Sequence, residues 1–112
     1  MGIVIIREPV TPSQMAEMSA VFGSVIKLAV DLEREILAGG GELHADCEEA
    51  LLKDGSKQEN VWGGDWYPVM GEVGFESLIN IRPRQGNRSL ALQSPLLRQQ
   101  FEAIVRRLME VG

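Results

Sequence analysis

The segment that most constrains the fold runs from residue 25 to residue 33, where Ile26, Leu28, Val30 and Leu32 alternate with Lys27, Ala29, Asp31 and Glu33. A period of two belongs to a β-strand with one face on a core and one in water, and not to a helix. Such a strand needs partners beside it and an apolar layer over its inner face. The chain must supply both within 112 residues. That length suits a single domain, residues 1–112, whose core forms without disulfides or metal.

The remaining pattern says how. Ile3-Val4-Ile5-Ile6 is a short β-branched run stopped by Glu8-Pro9, the mark of a strand buried on both faces. Thr11 is an N-cap, Pro12 fits the first helical position, and Gln14 completes a capping box. The helix so started extends to about Phe22, with Met15, Met18 and Phe22 on one stripe and Gly23 ending it. After the alternating strand, Arg34-Glu35 breaks the pattern and a hairpin returns through Ile36-Leu37-Ala38 as far as His44, bent or bulged at the glycine run of residues 39–41. Asp46 is expected to cap a two-turn helix from Cys47 to Asp54 that closes at Gly55. Residues 61–68 hold both tryptophans and the only tyrosine, spaced by Gly63-Gly64, and read as a strand or an aromatic loop whose rings either roof a pocket or plug the edge of a small core.

Residues 75–82 alternate again, Phe75, Ile79 and Ile81 against Glu76, Asn80 and Arg82, and predict a second strand ended by Pro83. Ser94-Pro95 starts a second clean helix, with Leu97, Phe101, Ile104, Val105 and Leu108 as its apolar stripe and Arg106-Arg107 in its last turn. The order implies an α+β domain: a mostly antiparallel sheet with helices packed on one side and an amphipathic C-terminal helix lying across it.

Composition narrows the function. With 24% charged and 45% apolar residues the chain is a folded protein, neither disordered nor fibrous. A net charge of −5 argues against nucleic acid or an anionic membrane face as partner. The apolar run of residues 3–6 is too short for a secretion signal or a membrane span, which makes the cytoplasm the expected address. Cys47 has no second cysteine to pair with and reads as a small buried residue.

Chemistry-bearing residues gather at two places. Glu42, His44 and Asp46 share one face if their segment is extended, and Asn80, Arg82 and Arg84 repeat the spacing. A metal site would need more than one histidine, and Asp46 is already engaged as a cap, so no metal or other cofactor is expected. Acid–base chemistry by His44 with Glu42 is open to an imidazole that titrates near neutrality, although no nucleophile stands at a recognisable spacing. Arg82, Arg84, Asn87 and Arg88 could grip a carboxylate or phosphate in bidentate fashion, or could simply pair with the acidic residues. A homo-oligomer or protein-partner module is the alternative of a different class, since aromatics and arginine are favoured at interfaces.

Three motifs in order, Gly41-Glu42-Leu43-His44-Ala45-Asp46, then Gly55-Ser56-Lys57-Gln58 with Trp62-Gly63 and Tyr67-Pro68, then Ile79-Asn80-Ile81-Arg82-Pro83 with Gly86-Asn87-Arg88-Ser89, run through nearly the whole chain. In them it resembles a small microbial family known only as a domain of unknown function. The resemblance implies no activity, but it does imply a shared site at these motifs. The expectation is therefore one shallow polar pocket in which His44 and Glu42 face residues 82–88 with Trp62 or Trp66 nearby, suited to a small anionic or zwitterionic ligand.

Overall fold

The computed structural model describes residues 2–110. Five strands, β1 (Val4–Ile6), β2 (Ile26–Asp31), β3 (Ile36–Gly39), β4 (Val61–Tyr67) and β5 (Glu72–Gly74), form one antiparallel sheet in the order β1-β3-β2-β4-β5. Helices α1 (Pro12–Ser19), α2 (His44–Lys53) and α3 (Pro95–Met109) pack on it, and the class is α+β as the pattern implies.

Both clean helix starts form as read. Thr11 Oγ1 accepts from the Gln14 N–H at 3.1 Å while the Gln14 side chain accepts from the Thr11 N–H at 3.0 Å, the reciprocal capping box. Ser94 Oγ accepts from the Leu97 N–H, and Phe101, Ile104, Val105 and Leu108 are buried. α1 stops at Ser19, a turn before Phe22, and Phe22 is exposed. The β2–β3 hairpin is tied by Asp31, whose Oδ1 accepts from the N–H groups of Glu33 and Arg34, each at 2.9 Å. Such an aspartate turn releases the chain from the strand without leaving those donors unpaired.

The sheet has two covered faces. Ile26, Leu28, Val30, Leu37, Trp62 and Trp66 meet Met18 of α1 and the buried stripe of α3. Ala29, Ile36, Ala38 and Val61 meet Cys47 and Leu51 of α2 on the other side. The expectation of helices on one side thus holds for α1 and α3 and is corrected for α2. The water-facing side of β2 is corrected with it, since Ala29 and Asp31 are fully buried.

Two local expectations also give way, and a third, open between strand and loop, is decided. β3 ends at Gly39, and Gly40, at φ 95°, turns the chain out of the sheet, so His44 opens α2 instead of ending a strand. Of the two readings of residues 61–68 the strand holds: β4 pairs with β2 at residues 61–66, and both tryptophans are 2% exposed. Gly63 and Gly64 are there for close packing, because a Cβ would lie 2.7 Å from Ser77 Cβ at Gly63 and 2.6 Å from the Phe101 ring at Gly64. Residues 75–82 form no strand, but a short helical turn, Leu78–Asn80, follows a single bridge between Glu76 and Ala91.

Candidate ligand site at the N-terminus of α2

The failed strand of residues 75–82 explains Asn80 and Arg82. β5 pairs with β4 only at residues 65–67, which leaves the outer edge of β4 open at Gly63 and Val61. Asn80 fills the gap: its Oδ1 accepts from the Gly63 N–H at 2.8 Å and its Nδ2 donates to the Gly63 carbonyl at 2.9 Å. A carboxamide carries the same donor and acceptor as a peptide unit, so a side chain stands in for the missing strand. Nδ2 also reaches the carbonyls of Phe75 and Leu90, and Asn80 is fully buried.

Arg82 continues the seal, donating to the carbonyls of Ile79, Gln58 and Val61 and to Glu48 Oε2 at 3.3 Å, with its guanidinium 4.5 Å from the Trp62 ring centroid. Burial holds its pKa below the ordinary arginine value, against the pull of Glu48. Asn87 closes the loop behind, with Nδ2 donating to the carbonyls of Asn80, Ser89 and Ala91 and Oδ1 accepting from the Gln93 N–H. Arg84 and Arg88 are exposed and make no ion pair among the described residues. The structure brings Arg82 against Trp62 and Asn80 against Asn87, while Trp66 lies in the core on the α3 side.

His44 belongs to a different arrangement. His44, Cys47, Glu48 and Leu51 fall at i, i+3, i+4 and i+7 and form the face α2 lays on the sheet. His44 and Asp46, two apart, therefore do not share a face, and the expected three-residue row is corrected. Asp46 is not the cap either. The N-cap is Leu43, which offers no side-chain acceptor, and Asp46 sits inside the first turn where its charge favours the helix dipole. Glu42 is exposed just before it, with no ion pair among the described residues.

His44 Nε2 lies 3.1 Å from the Gly64 carbonyl and 3.0 Å from Asp65 Oδ1. Both partners only accept, so Nε2 carries the proton and donates, and the ring is held in one orientation. One turn along the same face, Glu48 meets Arg82 with both side chains nearly buried. Between them the Cys47 thiol donates to the Lys27 carbonyl, and burial pushes its pKa up to about 11, which keeps it protonated and unreactive near neutrality.

His44, Ala45, Leu43, Lys27, Ser77 and Leu78 line a cavity of about 170 Å³. Lys27 stands directly across from Asp65 in the β2–β4 register, yet Asp65 is committed to His44 and Lys27 has no acidic partner among the described residues. Its ammonium lies 5.2 Å from the Phe22 ring. Sequence reasoning missed Asp65, Lys27 and Ser77. A lone carboxylate inside the aromatic run of β4 was the available sign. Among the described residues no three His, Cys, Asp or Glu side chains are grouped to hold a metal ion, and no helix is long and apolar enough to cross a membrane.

The chain belongs to the family described as Protein of unknown function (DUF5674), whose model matches residues 4–108. No curated protein matches the chain. No solved structure matches it either.

Proposed function

We propose that this domain binds a small organic acid with a short apolar tail in the cavity at the N-terminus of α2. The observation that carries the reading is the wall composition: Leu43 and Leu78 supply apolar surface, while the unpaired Lys27 supplies the group that would meet a carboxylate. The helix start adds to this, since the first N–H groups of α2 have no side-chain cap and an anion is stabilised there. A volume of about 170 Å³ lies below the roughly 300–1,000 Å³ of sites for drug-sized ligands, which limits the acid to a few carbons. Arg82 is left out of the reading because its guanidinium already donates to three carbonyls and to Glu48. The imidazole held by Asp65 is also what acid–base chemistry on the bound acid would use.

The test is a calorimetric titration with butyrate and with butyramide, which matches it in shape but lacks the charge. Butyrate should bind and butyramide should not, and Lys27→Met should weaken butyrate by about tenfold, the scale of one charge-assisted contact. Equal binding of acid and amide, or unchanged affinity in Lys27→Met, removes the proposal.

A further inference from the structure

A second cavity, of about 250 Å³, opens on the edge of the sheet beyond β5 and shares no lining residue with the first. It exists because residue 74 has no side chain: a Cβ on Gly74 would stand 3.1 Å from Asp65 Oδ2 and 3.3 Å from the Tyr67 ring. The Asp65 carboxylate lines this cavity and reaches the first only through His44. Oδ1 accepts from His44, and Oδ2 takes no hydrogen bond among the described residues.

Arg98 and Glu76 also line this cavity. Arg98 is stacked 4.2 Å from the Phe75 ring centroid and spends Nη1 on the Leu92 carbonyl, with Nε and Nη2 making no hydrogen bond among the described residues. The stacking and the single carbonyl bond hold the guanidinium plane in place, leaving its fork available to a bidentate acceptor. Glu76 is in no ion pair among the described residues, and in particular it does not pair with Arg98 although both border the same small space. Opposite charges that face one cavity without meeting define room for a molecule that carries both signs in the reverse order. Burial raises the Tyr67 phenol above its ordinary value, helped by Asp65, Glu76 and Glu72, so its hydroxyl stays neutral and can donate.

We propose that this edge cavity binds a free α-amino acid, with Arg98 and Tyr67 taking the carboxylate and Glu76 with Asp65 Oδ2 taking the ammonium group. The volume lies below that of sites for drug-sized ligands and suits a single amino acid rather than a peptide. Phe75 and Ala91 border the remaining wall, so an aliphatic side chain is preferred to a charged one.

The experiment is an amide NMR titration of the intact domain with glycine, alanine and leucine, run beside acetate, methylamine and N-acetylalanine amide. The free amino acids should shift Tyr67, Gly74 and Ala91 while the half-molecules and the blocked derivative should not. Arg98→Gln and Glu76→Gln should each weaken binding by about tenfold, and Gly74→Ala should weaken it by obstructing the space without removing a charge. Shifts of equal size from acetate or methylamine alone, wild-type affinity in both charge variants, or no shift up to about 20 mM amino acid, far weaker than a millimolar site, each overturn the proposal. The reporters for the organic-acid cavity are Leu43 and Leu78, so the two sites can fail separately.

Discussion

The two faces of the sheet are built on different principles. The face under α1 and α3 is held by large apolar side chains, with the rings of Phe75 and Phe101 tilted at 5.7 Å and both tryptophans beneath α3. Under α2 the apolar contact is small, mostly alanine, valine and cysteine, and the helix is placed by polar links: His44 to Asp65, Glu48 to Arg82, and the C-cap Asp54 to Arg7 and Arg34. Burial of large apolar area stabilises without regard to direction, whereas hydrogen-bonded charges fix where a helix sits and add little net energy. The first face supplies the stability. The second positions chemistry: His44 of α2 lines the first candidate cavity, and Asp65, which it meets, lines the second.

Breaking each face should therefore give different results. Phe101→Ala, in the fully buried stripe of α3, should cost about 3–5 kcal/mol in urea unfolding. A loss under about 1 kcal/mol would mean that α3 is not the main source of core burial. Arg82→Met should cost less, about 2 kcal/mol, because it strands Glu48 and uncaps the Val61 carbonyl. Adding Glu48→Gln to it should recover part of that loss, and strict additivity in the double-mutant cycle would deny that the two groups interact.

The smallest effect concerns Asp54, whose carboxyl is held below its ordinary value of 3.8 first by its hydrogen bond from Arg7 and then by that from Arg34. A depressed folded value contributes stability that is fully present above 3.8 and is lost as pH falls through the folded value. Comparing urea midpoints of wild type and Asp54→Asn on either side of that window should show a gap that narrows at the acid end. A gap independent of pH would remove the ionic link from the account of α2.

What the sequence made legible follows the same division. Thr11-Pro12 with Gln14, Ser94-Pro95, the α3 stripe and the β2 alternation are local devices whose geometry needs no partner to be read. The body of α2 was legible as a helix from Cys47 to Asp54, but its first turn was hidden: two of the four residues on its buried face, His44 and Glu48, are polar, so its stripe does not look apolar, and the alternation of Glu42, His44 and Asp46 looks like a strand end instead. β4 stayed between strand and loop because Gly63 and Gly64 mimic a turn, and only the approach of Ser77 and Phe101 gives the reason for them. At residues 75–82 the spacing of Asn80 and Arg82 is real, but both side chains turn inward to backbone that only tertiary structure brings near. Asp65 and Lys27 were invisible as a set because a cross-strand register joins them.

The carboxamide of Asn80 lying along β4 has a consequence for association between molecules. An open strand edge with free N–H and C=O groups is a template on which another chain can add, and it is the usual route to domain swapping and fibrils. Here a side chain already fills both hydrogen-bonding positions of Gly63, and a side chain, unlike a strand, ends after one residue and offers no further ladder. The longest strand of the sheet is thereby closed to growth from outside without the domain having to supply another full strand.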